Sequence, residues 1–104
     1  MKVVLCNCPG DAAQGIARAL VERAGAACVN IIPAVQSVYR WDGETCVETE
    51  STLLIKVALS QLDALKVFLL ELHPYDVPEI VALDVDAEGS SAAYVDWVRA
   101  AATT

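Results

Sequence analysis

The sequence has 104 residues, enough for one small domain with a single hydrophobic core. Seven basic residues against fourteen acidic ones give a formal net charge of -7, which argues against nucleic acid and anionic membrane surfaces as partners. Hydrophobic residues make up 56% of the chain. This share is high for a small domain with a large surface, so we expect some apolar surface to be buried in an interface.

The first residues and the apolar runs bear on the location of the protein. The segment "MKVVLC" leads directly into a predicted helix start, which leaves fewer apolar residues than the roughly 7–15 of a secretory signal. No apolar run approaches the roughly 20 residues of a membrane span. We therefore expect a cytoplasmic protein whose four cysteines are free thiols.

The first two predicted elements are a strand and a helix. The valine-rich run at residues 2–8 is too short for a helix and predicts a buried central strand. Asp11 and Gln14 have the spacing of a capping box that would start a helix. Gly25 is expected to end it.

A long hairpin follows. The dipeptide Asp42-Gly43 lies between two extended runs of β-prone residues, and this pattern predicts a tight turn because both residues tolerate positive φ. Pro33 has no N–H to donate, so it predicts a bulge or an unpaired edge in the first arm.

The hairpin is predicted to be longer than the helices that could cover it. A strand of about 12 residues rises roughly 40 Å, whereas a helix of about 14 residues covers only some 21 Å. The overhang carries Val38, Tyr39 and Trp41 near its tip. Because an isolated two-stranded ribbon is marginally stable in water and apolar sheet edges pair with other chains, we predict that another subunit covers it.

Three further elements complete the chain. Ser60 is the predicted N-cap of a second helix, which should end at His73 because a proline follows. Residues 79–85 predict a short strand, and residues 89–90 predict the start of a terminal helix.

This order of elements is βαββαβ with an extra C-terminal helix. Right-handed crossovers around a central hairpin predict an α+β, ferredoxin-like sandwich with four antiparallel strands and two helices on one face. No repeat or linker interrupts the sequence, so residues 1–104 are expected to form a single domain. In this fold the first and last strands lie side by side and antiparallel, so the end of the first is next to the start of the last.

The segment "HPYDVPEI" at residues 73–80 has two interpretations. Its prolines, aromatic residue and aspartate suit the boundary between a helix and a strand, which explains every residue except the histidine and the glutamate. Alternatively, His73 and Glu79 are an imidazole and a carboxylate that could bind a transition metal. Cys6 or Cys8, at the end of the first strand, could add a thiolate.

The other two cysteines are interpreted structurally. Cys28 is predicted to be a small buried hydrophobe. Cys46 lies among three glutamates, Glu44, Glu48 and Glu50, on a strand face that we interpret as solvated.

Catalysis by Cys6, His73 and Glu79 as nucleophile, base and orienting group is conceivable. However, no glycine-rich oxyanion or phosphate loop accompanies them, and the chain has one histidine. We therefore predict that the protein is not an enzyme.

Four segments together resemble the CutA divalent-cation tolerance proteins in order and spacing: "VVLCNCP", "RAGAACVNIIPAVQSVYRWDGETCVETESTLLIKV", "HPYDVPEI" and "YVDWV". The resemblance implies a homotrimer whose hairpins pair across subunits. It also implies a role in tolerance of divalent metals, chiefly copper. We expect that no metal is needed for folding. The resemblance places the metal ligands at Cys6, His73 and Glu79. Leu72 stands where some relatives have a second histidine, whereas Cys8 is an additional thiol that would favour a soft ion such as Cu(I).

The subunit is also similar in architecture to the trimeric PII signalling proteins. This similarity suggests an alternative, a trimeric small-molecule sensor without metal function, although the sequence lacks a basic glycine-rich loop for nucleotide phosphates. A metal-independent interaction scaffold is the third possibility.

Overall fold

A computed structural model describes residues 1–102 of the chain. The elements are β1 (Lys2–Cys8), α1 (Ala13–Arg23), β2 (Cys28–Trp41), β3 (Glu44–Val57), α2 (Leu62–Leu72), β4 (Ile80–Asp84) and α3 (Ala92–Ala101), with a short 3₁₀ turn at Leu59–Gln61. The strands form one sheet in the order β2-β3-β1-β4, and β1 pairs antiparallel with both β3 and β4. This is the predicted ferredoxin-like topology.

The core lies between the sheet and the helices α1 and α2. Every second residue of β1 and of the second half of β3 faces it, because successive side chains of a strand point to opposite faces. Its largest members are Val4, Cys6, Cys8, Ile16, Leu20, Leu53, Ile55, Val57, Leu65 and Leu69. Burying an aliphatic side chain of this size contributes about 1.5–3 kcal/mol, so these residues fix the sheet and the two helices together.

The outer half of the hairpin has no third strand. Pairing between β1 and β3 ends at Cys8 and Ser51. Beyond that point, residues 35–41 of β2 and 44–50 of β3 pair only with each other among the strands described. We call this part, residues 35–50, the ribbon. The length argument from the sequence therefore holds: each hairpin strand has 14 residues, whereas α1 and α2 have 11 each.

Two local irregularities shape the ribbon. Asp42 and Gly43 form its tip with φ of 53° and 79°, the positive values that a two-residue hairpin turn of type I′ requires. At its base the register shifts between Ile32 and Val35, and Ala34 has φ 58°. The turn and the bulge predicted next to Pro33 are confirmed.

The ends of the first two helices agree with the sequence, but their starts do not. Gly25, with φ 79°, follows α1, and His73 has extended geometry directly after α2. Asp11, however, does not cap α1: residues 9–12 form a hydrogen-bonded turn, and the helix begins at Ala13 without a side-chain cap. Ser60 likewise lies inside the 3₁₀ turn, so it does not cap α2.

The third helix begins slightly later than predicted. Ser91 caps α3 by accepting a hydrogen bond from the Tyr94 backbone N–H at 3.4 Å, whereas the sequence placed the start at residues 89–90. Val95 and Val98 are the buried residues of this helix.

Candidate functional site at the end of β1

The His73 ring joins the segment after α2 to the end of β1. Its Nε2 lies 2.8 Å from the backbone carbonyl oxygen of Asn7, and its Nδ1 lies 3.1 Å from the backbone N–H of Tyr75. A carbonyl only accepts and an amide N–H only donates, so Nε2 carries the proton and Nδ1 accepts. The residue is 7% exposed. His73 is therefore a buried, neutral imidazole with both nitrogens engaged.

Tyr75 attaches the same segment to β3. Its hydroxyl donates a hydrogen bond to Glu50 Oε1 at 3.0 Å, and its ring lies 4.9 Å from the His73 ring, centroid to centroid. Burial, followed by the hydrogen bond to Glu50, raises the pKa of Tyr75 to about 12. The phenol therefore keeps its proton at neutral pH and remains a donor. Glu50 is 8% exposed, so its assignment to a solvated face was wrong.

Cys6 and Cys8 are fully buried and face the core. Burial raises the pKa of Cys6 to about 12, with further contributions from Cys8 and from the charges of Glu79 and Glu50. Burial, followed by the charge of Glu50, also raises the pKa of Cys8. Both side chains are therefore protonated thiols at neutral pH, and either must lose a proton before it can bind a metal as thiolate.

The three residues singled out by the sequence lie at the same end of β1. The Cys6 thiol donates to the Asn7 carbonyl oxygen at 3.8 Å, the same oxygen that His73 contacts. Glu79 directly precedes Ile80, which pairs with Cys6, and it is exposed. The antiparallel contact between the first and last strands thus brings Cys6, His73 and Glu79 into one neighbourhood, as the fold predicts.

Proximity is not the same as a formed metal centre. Within residues 1–102, no group of three or more histidine, cysteine, aspartate or glutamate side chains is arranged to hold a metal ion. Cys6 faces the core, and the Nε2 atom of His73 is turned to a backbone carbonyl. A metal bound by both would have to replace the thiol proton and the hydrogen bond from His73 to Asn7.

The remaining two cysteines lie away from this site. Cys28 is partly exposed, so its prediction as a buried hydrophobe was wrong; its thiol lies 3.9 Å from Asn30 Oδ1. Cys46 lies in the ribbon opposite Tyr39 and is also partly exposed. All four cysteines are free thiols, as expected.

Three contributors to the site were missed from the sequence: Asn7, Glu50 and Tyr75. Asn7 acts through its backbone carbonyl, which no pattern of side chains can indicate. The sequence explains Tyr75 only as part of a boundary between a helix and a strand, although a buried tyrosine hydroxyl needs a polar partner. That requirement was the available signal for a carboxylate such as Glu50.

Among residues 1–102, no helix has the length and apolar character needed to cross a membrane. The strand order, the protruding ribbon and the histidine segment docked on β1 define a ferredoxin-like protein with an extended central hairpin. The profile of the CutA1 divalent ion tolerance protein family matches residues 2–101. The chain belongs to this family, as its segments suggested.

Individual relatives agree with this assignment. The divalent-cation tolerance protein CutA of Thermus thermophilus is 48% identical over 99 residues, which cover 94% of each chain. Human protein CutA is 43% identical over 94 residues, 89% of this chain. The chain spans only about half of that protein, 51%. These relatives are named for tolerance or as CutA and not as enzymes.

Solved structures support the fold. The PII-like protein CutA from Nostoc sp., determined in apo form, superposes with a TM-score of 0.93 at 44% identity, over 98% of this chain and 97% of that one. The Thermus thermophilus divalent cation tolerance protein superposes with a TM-score of 0.89 at 45% identity, over 96% of this chain and 97% of that one.

Proposed function

We propose that the protein is a cytoplasmic homotrimer that acts in tolerance of divalent metals, with copper as the first candidate. Metal ions would bind weakly where Cys6, His73 and Glu79 meet, and the protein would not be an enzyme. The observation that carries this proposal is the convergence of the Cys6 thiol and the His73 imidazole on the carbonyl oxygen of Asn7. The exposed Glu79 directly precedes Ile80, the strand partner of Cys6.

The burial of these donors accounts for weak binding. Binding must remove the proton from Cys6, whose pKa is about 12, and must break the hydrogen bond from His73 to Asn7. The affinity should therefore rise with pH, because metal and proton compete for the same sulfur. Thiolates from Cys6 and Cys8 would favour the soft ion Cu(I) over harder divalent ions.

The trimeric state is part of the same proposal. Val38, Trp41 and Val47 are 67%, 64% and 61% exposed on the ribbon, and an isolated two-stranded ribbon is marginal in water. Burial by neighbouring copies would stabilise it. The number three rests on the resemblance to the CutA and PII proteins. Metal would not be required for folding.

Calorimetric titration of the reduced protein with Cu(I), Cu(II) and Zn(II) tests the site. Glu79→Gln should weaken binding about tenfold, whereas Asp76→Asn, an exposed carboxylate of the same segment, should change it less than twofold. Cys6→Ser should selectively weaken Cu(I), because it replaces the soft sulfur with a hard oxygen. Absence of saturable binding below millimolar metal, or equal affinities in all four proteins, would refute the site.

The similarity to a structure described as PII-like and in apo form favours a second candidate, a small-molecule sensor. A ligand selective for the native state would raise the melting temperature. A metabolite screen by thermal shift, with the metal-binding variants as controls, distinguishes the two functions. Stabilisation that persists in Cys6→Ser and Glu79→Gln would support the sensor, whereas a screen without a single stabilising compound would count against it. If the protein assembles but binds neither metals nor metabolites, the interaction scaffold remains as the third possibility.

A further inference from the structure

The segment at residues 73–79 is attached to two different parts of the sheet. His73 binds the end of β1 through the Asn7 carbonyl. Tyr75 binds Glu50. Pairing between β1 and β3 ends at Ser51, so Glu50 is the first β3 residue beyond it on the way to the hairpin turn. Its cross-strand neighbour Val35 is the first paired residue after the bulge in β2. The Tyr75 contact is therefore made at the base of the ribbon.

We propose that the hydrogen bond between Tyr75 and Glu50 couples the ribbon to the candidate site, so that the position of the His73 ring depends on the order of the ribbon. Tyr75 and Glu50 act as positioning residues in this coupling. The proposal concerns the mechanical link within one chain. Its consequence for metal binding rests on the proposed function.

The strength of the link follows from burial. The acceptor is a carboxylate on a residue that is 8% exposed, and hydrogen bonds to ionised groups are roughly twice as strong as neutral ones. A buried carboxylate that loses its donor bears an uncompensated desolvation penalty. Displacement of Glu50 therefore either pulls Tyr75 with it or breaks a strong bond.

The displacement of Tyr75 reaches the site directly. The backbone N–H of Tyr75 donates to His73 Nδ1 at 3.1 Å, and the two rings are in contact. A shift of Tyr75 alters the partner that fixes the orientation and tautomer of the imidazole. Because coupling between two regions is reciprocal, a ligand that turns His73 away from Asn7 would in turn loosen the base of the ribbon.

Amide hydrogen exchange of the full-length, metal-free protein tests the link. Two changes disturb the ribbon without touching the contact. Gly43→Val strains a turn residue with φ 79°, and Trp41→Asp replaces an exposed apolar side chain next to the turn with a charge. If either change makes the ribbon amides exchange faster, the amides of residues 73–79 should also exchange about tenfold faster. In Tyr75→Phe, exchange at residues 73–79 should already be fast, and adding the ribbon change should raise its rate less than twofold.

Matched variants separate the link from general destabilisation. Tyr39 is more exposed than Tyr75, and Glu48 of the ribbon raises the pKa of its hydroxyl. Tyr39→Phe should therefore leave residues 73–79 unchanged within twofold. Glu50→Gln keeps an acceptor but loses the charge, so its exchange at residues 73–79 should lie between those of the wild type and Tyr75→Phe. Glu50→Ala should resemble Tyr75→Phe.

Two results would overturn the coupling. One is unchanged amide exchange at residues 73–79 when the ribbon is loosened. The other is a ribbon change that accelerates exchange at residues 73–79 as much in the Tyr75→Phe background as in the wild-type background. No metal is present in this experiment. If the metal titrations show no binding, the exchange experiment still tests the coupling. If the exchange experiment refutes the coupling, the titrations still test the metal site.

Discussion

The two halves of β3 have the same backbone geometry and opposite environments. In the inner half, Leu53, Ile55 and Val57 are 0% exposed beneath α1 and α2. In the outer half, Val47 lies on the ribbon and is 61% exposed. Alternation of side chains specifies a strand in both halves, but burial depends on what covers the face. The apolar residues of the ribbon therefore point to a second chain and not to the core of their own subunit.

The largest difference between the halves should appear in core truncations. Leu53→Ala removes a fully buried side chain and should lower the free energy of unfolding by about 2–5 kcal/mol at any protein concentration. Val47→Ala should lower it less, and its effect should vary with protein concentration if, as proposed, another chain covers it. Urea unfolding at two concentrations tenfold apart measures both. Equal, concentration-independent effects would abolish the distinction between the halves.

Alkaline pH should act on both sides of the boundary between the two halves, because Cys6 lies opposite Leu53 and Tyr75 binds Glu50. Cys6 and Tyr75 both have a pKa raised to about 12, from 9.0 and 10.0 respectively, so the folded state holds protons that the unfolded state releases. This stabilisation is complete below about pH 9 and is lost as pH rises towards 12. Urea unfolding between pH 7 and 11 should show the decline.

A variant separates the phenol from the thiols. Tyr75→Phe removes the phenol, so the decline above about pH 10 should become shallower, while the part due to Cys6 and Cys8 remains. Stability that stays level from pH 8 to 11 in the wild type would contradict the assigned burial of these groups.

The smallest expected effect compares two glycines with the same backbone. Gly25 and Gly43 both have φ 79°, so alanine is strained at either position by about 1–2 kcal/mol. At Gly25 a Cβ would also lie 2.5 Å from Gln61 Cγ, whereas at Gly43 nothing lies within 4 Å. Gly25→Ala should therefore lower the melting temperature more than Gly43→Ala. The reverse order would show that the ribbon turn is the more constrained of the two.

Much of the fold could be predicted because it depends on local patterns. The strand at residues 2–8, the Asp42-Gly43 turn, the bulge near Pro33 and the helix end at His73 all follow from hydrophobic pattern or from backbone constraints. The helix starts could not be predicted in the same way. A capping residue works only if the preceding turn leaves it in position, and the turn after β1 places Asp11 outside the helix.

The site was predictable as a neighbourhood but not as a set of contacts. Strand adjacency brings Cys6, His73 and Glu79 together whatever their side-chain directions. The hydrogen bonds of His73 depend on a backbone carbonyl and a backbone N–H, which leave no mark in the sequence. Side-chain alternation along β3 predicts that Glu50 faces solvent. Glu50 is nevertheless buried, and Tyr75 of the segment after α2 is hydrogen-bonded to it.

If another chain covers the ribbon, as proposed, the ribbon should depend on that chain to stay ordered. The most direct test of this dependence combines sedimentation with amide hydrogen exchange over a dilution series of the reduced protein. We expect the amides of residues 35–41 and 44–50 to lose protection as the assembly dissociates, while the amides of β1 stay protected. A dilute monomer whose ribbon amides remain as protected as those of β1 would show that the ribbon is ordered without another chain.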